Sequence, residues 1–141
     1  WNLRTDELTQ KRPYDVLASL CERISSTTGV RVRSSLGGLP DMLPGKIFSD
    51  ILYVIQEAVT NAIKHGGATR LLIASEEAGP KRLEIRICNN GRQFDTARVL
   101  GPETGHFGLS GMRERAHRSG FSVSVVSKRR VTSVRMEVEL P

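Results

Sequence analysis

An acid, an amide and a cation recur at helical spacing in Gln56-Glu57-Ala58-Val59-Thr60-Asn61-Ala62-Ile63-Lys64-His65. Residues three and four apart are neighbours on a helix, so Glu57, Asn61 and Lys64 share a face. A hard cation such as Mg2+ takes oxygen ligands, and an Asn carbonyl beside phosphate oxygens suits it. A carboxylate one turn away can orient or deprotonate a nucleophile. Lys64 and His65, at the helix end, are placed to meet phosphate charge. Together these groups suit a metal–triphosphate, although one polar helix face alone is more often simply solvated. Two downstream segments change that balance. Asn89-Asn90-Gly91 ends an apolar run, and Gly91 permits close backbone approach. Gly105-His106-Phe107-Gly108-Leu109-Ser110-Gly111-Met112 leads into a helix, where free N–H groups and the helix dipole favour an anion. An Asn-Gly turn or a glycine loop means little by itself. The order and spacing of all three segments point to a nucleotide pocket.

The elements that must carry these groups follow from periodicity. Pro13 opens a helix in which Leu17, Leu20, Cys21 and Ile24 fall at i, i+3, i+4 and i+7, and Gly29 stops it. Val30 to Arg33 alternates like a half-buried strand. Residues 37–46, rich in glycine and proline, read as a loop. A second helix is expected from Ser49, as N-cap, to His65, ended by Gly66-Gly67. Its apolar face is Ile51, Leu52, Ile55, Ala58, Val59 and Ala62, with the polar face opposite. Strands are predicted over Arg70–Ser75, Arg82–Cys88, Phe121–Ser127 and Val134–Leu140, and a third helix over Leu109–Ser119 after a polar loop from Asp95 to Phe107. About three helices and five strands, the strands mostly adjacent in sequence, make an α+β two-layer sandwich. Residues 1–13 read as the tail of a preceding element or a linker, and 14–141 as the domain.

Composition sets outer limits. A chain of 141 residues suits one domain with a real core. Its 38% hydrophobic and 26% charged residues describe an ordinary globule. No apolar run approaches a membrane span and no secretory leader is visible. The start at Trp1 suggests a piece of a longer protein. Cys21 and Cys88 lack disulfide-scaffold density and metal-ligand spacing, so both read as small buried hydrophobes in a reducing compartment. The net charge of +6 gathers at Lys128-Arg129-Arg130, most simply a solvated loop. Nucleic-acid binding is rejected for want of aromatic interleaving and a recognisable module.

These segments resemble the ATP-binding domain of sensor histidine kinases, in the superfamily with gyrase, Hsp90 and MutL. Gln56 to His65 resembles the N box. Gly105-His106-Phe107-Gly108-Leu109-Ser110-Gly111-Met112-Arg113-Glu114-Arg115 resembles the second glycine box of the subgroup that pairs with NarL-type response regulators. The resemblance spans nearly the whole chain. It implies the Bergerat fold, with helices over a mixed, mainly antiparallel sheet, ATP in the cleft and a mobile lid. It implies that Asn61 ligates Mg2+, Glu57 assists phosphoryl transfer, and Lys64 and His65 lie near the phosphates. Gly105, Phe107, Gly108, Leu109 and Gly111 would shape the lid end and meet the triphosphate. Asn89 and Gln93 would stand at the adenine end, and Gly91 and Thr132 would also contact ATP. The cofactors implied are ATP and Mg2+. The partners implied are a dimerisation and phosphoacceptor domain of the same full-length protein and a NarL-type regulator, with this piece itself monomeric and cytoplasmic.

Three departures stand out. Asn89 occupies the position of the family's adenine-binding Asp, and Gln93 replaces the second glycine of that box. Lys128 to Ser133 holds no glycine where the family tends to have a glycine-rich turn. Charge-assisted hydrogen bonds are about twice as strong as neutral ones, so Asn89 in place of Asp weakens ATP binding by about ten- to thirty-fold. A degenerate pseudokinase acting as a partner-binding module is therefore the alternative. A serine kinase of the anti-sigma-factor type shares the fold, but Gly111-Met112-Arg113-Glu114-Arg115 argues against it. None of His65, His106 and His117 has the context of a phosphoacceptor, which is expected outside the chain.

Overall fold

The computed structural model describes residues 9–92 and 108–141. Helix α1 (Pro13–Thr28) starts on its proline, whose missing N–H would have no helical partner anyway, and ends at Gly29 in the left-handed region at φ 73°. Val16, Leu17, Leu20, Cys21 and Ile24 are buried along it, the expected stripe plus one turn. Strand β1 (Arg31–Leu36) turns Val32 and Leu36 toward the core and leaves the rest largely exposed.

Helix α2 (Gly45–Lys64) departs from expectation at its start. Ser49 is not the N-cap: Pro44 occupies that position, and the Phe48 N–H bonds the Pro44 carbonyl at 3.0 Å. The reason is packing. Phe48 is 1% exposed, so burial extends the helix one turn upstream and shortens the preceding loop. Ile51, Val54 and Ile55 are completely buried. Full burial of such side chains contributes roughly 1.5–3 kcal/mol each.

Strands β2 (Arg70–Gly79), β3 (Arg82–Asn89), β4 (Ser122–Lys128) and β5 (Val131–Glu139) complete a sheet of order β1-β2-β3-β5-β4, with helix α3 (Gly108–Arg118) between β3 and β4. β1 and β2 are parallel, joined through α2, and the other neighbours are antiparallel. Among the described residues three helices thus pack on a five-stranded mixed sheet, as the sequence pattern implied. Leu71, Ile73, Leu83, Ile85, Ile87, Val134, Met136 and Val138 join the helices in one core.

On the opposite face Glu84 takes Arg86 at 3.3 Å and Arg135 at 3.6 Å. Cys88 lies on this face too, half-buried, where its sulfur accepts a bond from the Ser133 hydroxyl at 3.3 Å. Only Cys21 is the buried hydrophobe expected of both cysteines, because strand alternation turns Cys88 away from Ile87 and the core.

The β4–β5 hairpin closes through Arg129 and Arg130, with φ of 46° and 70°. Two consecutive positive φ values define a type I′ turn, which favours Asn-Gly. Arginine in this region costs on the order of 1 kcal/mol per residue. Arg129→Asn with Arg130→Gly should raise stability by about 1 kcal/mol, or about 3 °C in Tm. Thermal denaturation checks this, and an unchanged or lower Tm would contradict it.

Candidate functional site

Glu57 and Asn61 stand one turn apart on α2, on a stripe that is largely enclosed and not open to water. Asn61 is 4% exposed, and Glu57 is half-buried with its Oε2 fully enclosed. Among the described residues neither Asn61 Oδ1 nor Glu57 Oε2 has a hydrogen-bond partner. α2 packs against α3 and β3 and borders a groove with α1, so much of its polar stripe is enclosed. Leaving a buried polar group unsatisfied costs about 1–3 kcal/mol. Two such oxygens, one turn apart on α2, mark a place where something beyond the described residues completes the bonding.

Lys64 is exposed and lines the groove between α1 and α2 together with Thr60 and Ile63, at the border of the Glu57–Asn61 stripe. His65 follows as the half-buried C-cap, its N–H bonded to the Asn61 carbonyl at 3.0 Å.

The second cluster forms where α2 ends against the end of β3. The Arg92 N–H donates to the Gly66 carbonyl at 2.7 Å, holding the two chain segments together. A Cβ on Gly91 would lie 2.9 Å from the Gly66 oxygen and 3.0 Å from Asn89 Oδ1, which is why only glycine fits. Asn89 is drawn into local bonds. Its Oδ1 accepts the Gly91 N–H at 2.8 Å, and its Nδ2 donates to the Thr132 carbonyl at 3.4 Å. Asn89 and Thr132 are register partners across β3 and β5, so Thr132 does stand beside Asn89. Asn90 points elsewhere. Its Oδ1 accepts the N–H groups of Thr69 and Arg70 at 3.0 and 2.9 Å, pinning the start of β2.

Gly108, Leu109 and Gly111 occupy the first turn of α3. Leu109 packs on the core and Gly111 is buried. Gln93, Gly105 and Phe107 lie outside the described residues.

Sequence reading missed a group on the same stripe of α2. Asp50, 1% exposed, accepts bonds from Arg115 at 3.3 Å and Arg118 at 3.2 Å, and from the Ser119 hydroxyl. The Arg115 guanidinium also lies 4.3 Å from the centre of the Tyr53 ring. The Tyr53 phenol is pushed above its ordinary value, first by burial and then by the charge of Glu57, with Arg115 opposing. It stays neutral beside that carboxylate. The one signal available was spacing, since Asp50, Glu57 and Asn61 fall at i, i+7 and i+11.

A sandwich with one helix-covered sheet face and an inward-turned acid–amide pair defines a nucleotide-binding domain of the ATPase class. Residues 48–141 match the family described as histidine kinase-, DNA gyrase B-, and HSP90-like ATPases. The chain belongs to this family. It is similar to the sensor histidine kinase YxjM of Bacillus subtilis, 29% identical over 128 residues, 89% of this chain and 29% of that protein. It is also similar to the nitrate/nitrite sensor protein NarQ of Escherichia coli, 39% identical over 74 residues, 52% of this chain and 12% of NarQ. The chain thus spans less than a third of the length of these relatives. Among solved structures, the ATP-binding domain of PrrB from Mycobacterium tuberculosis superposes with a TM-score of 0.64 at 20% identity, covering 92% of this chain and 93% of that one. A histidine kinase domain from Erythrobacter litoralis gives 0.68 at 19% identity, covering 89% and 58%. These likenesses carry the fold, and the family match carries the ATP-binding class.

Proposed function

We propose that this chain is the ATP-binding catalytic domain of a two-component sensor histidine kinase, delivering the γ-phosphate of ATP to a histidine on a dimerisation domain of the same full-length protein. The observation that carries the reading is the pair of enclosed oxygens, Asn61 Oδ1 and Glu57 Oε2, that have no hydrogen-bond partner among the described residues. An amide oxygen of this kind fits Mg2+, which keeps several waters and phosphate oxygens and asks few ligands of the protein. In this reading Asn61 holds the ion that neutralises phosphate charge, and Glu57 orients the accepting imidazole or takes its proton. Lys64 and His65 lie toward the phosphates, as do Gly105, Phe107, Gly108, Leu109 and Gly111. Asn89, Gly91, Gln93 and Thr132 face adenine. Transfer of this kind rests on positioning and electrostatics. The likeness to NarQ favours a NarL-type response regulator as the next partner. Dependence on ATP favours the cytoplasm as the site of action.

Calorimetric titration with a non-hydrolysable ATP analogue, with and without Mg2+, tests the reading. Mg2+-dependent binding supports it. No heat at about 1 mM nucleotide would leave the second reading, a pseudokinase that serves as a partner-binding module. Asn89 is what favours that alternative, because its amide is already engaged by Gly91 and Thr132. Asn89→Asp should tighten ATP binding by about tenfold, toward the lower end of the charge-assisted gain, because the new carboxylate faces the Thr132 carbonyl. Unchanged or weaker affinity would refute this account of the adenine end.

A further inference from the structure

Asp50 is the only charged side chain in the buried class among the described residues, and its side-chain partners among them come from the far end of α3 and the residue after it. Enclosing a carboxylate is expensive, and a well-packed apolar side chain is often as stabilising there. What a charge adds is direction: two guanidinium groups and a hydroxyl converge on one point and permit one registration of the helices. Arg115 extends the contact by lying over the ring of Tyr53, the next turn of α2. Tyr53 in turn feels the charge of Glu57. The clamp therefore references α3 to the turns of α2 just before Glu57 and Asn61. Toward the other end of α3 stand Gly108, Leu109 and Gly111, about 6 to 15 Å from Arg115 and Arg118 along a rigid rod at ~1.5 Å per residue. Met112 and Ala116 press the same helix into the core, so burial sets its depth while the clamp sets its rotation and slide.

We propose that Asp50, with Arg115, Arg118 and Ser119, is a positioning residue that aims the glycine-bearing start of α3 at the phosphate end of the nucleotide. The inference rests on the nucleotide-binding reading above. It separates from a merely structural role because the adenine end at Asn89 and Thr132 lies on the sheet, not on α3. Titrations of wild type and Asp50→Asn with the Mg2+–ATP analogue and with AMP, followed by calorimetry and amide NMR well below the melting temperature, make the distinction. The expected result is an analogue affinity about tenfold weaker with AMP affinity unchanged. Arg118→Gln, a milder change at a side chain 54% exposed, should weaken the analogue about threefold, and it carries the test if Asp50→Asn shows no cooperative melt. Equal losses for both ligands, or no loss in variants of a wild type that binds ATP, would overturn the positioning role alone. A wild type that binds neither ligand overturns the nucleotide reading and this inference with it.

Discussion

Replacing Asn61 with leucine should abolish Mg2+-dependent ATP binding and cut phosphotransfer by at least about 100-fold, while the domain becomes no less stable. The two halves of this expectation have one cause. Asn61 Oδ1 is enclosed without a protein partner among the described residues, so the folded domain carries its desolvation penalty whenever the site holds nothing. Leucine has similar volume and no polar atom, and removing the orphan should return about 1 kcal/mol, or about 3 °C in Tm. A core amide with a hidden structural duty would behave oppositely and lower the Tm. Thermal denaturation of the nucleotide-free domain, paired with phosphotransfer in the full-length protein, checks both halves. A marked loss of stability would show that Asn61 is part of the scaffold and not a ligand.

The second large effect is expected at the clamp. Arg115→Met with Arg118→Met should destabilise the domain by about 3–5 kcal/mol, since it strands the Asp50 carboxylate in an enclosed site with only the Ser119 hydroxyl. Adding Asp50→Leu to the same background should recover most of that loss, because a stranded charge costs far more than an apolar replacement of the whole network. The order of stability, with the triple variant well above the double, is read from denaturant midpoints. A double variant within about 1 kcal/mol of wild type would mean that the carboxylate finds water or another donor, and the clamp would lose its energetic basis.

Much of the architecture was legible because it is written locally. Pro13 and Gly29 bound α1 through backbone constraints that act within one or two residues. The alternation through Val134, Met136 and Val138 belongs to a strand whatever it pairs with. The acid–amide pair on α2 and the glycines before and within α3 were likewise visible, because helical spacing alone brings them together. Ser49 failed as a start signal because a local capping preference, worth about 1 kcal/mol, was outweighed by the burial of Phe48 one residue earlier. Cys88 was misjudged because a composition rule cannot say which face of a strand is covered.

The sequence by itself determined the kinds of element, their order, and the family to which the nucleotide-handling segments belong. Each of these depends on residue types at short, regular separations. Tertiary structure alone decided how deeply the polar stripe of α2 is enclosed, so that Asn61 Oδ1 and Glu57 Oε2 have no partner among the described residues. It also decided that Asp50 meets Arg115 and Arg118 from more than sixty positions away, and that Asn89 spends its amide on Gly91 and Thr132. The physical reason is the same in each case. A side chain's type states which bonds it is able to form, but burial and the approach of distant segments decide which bonds it has left.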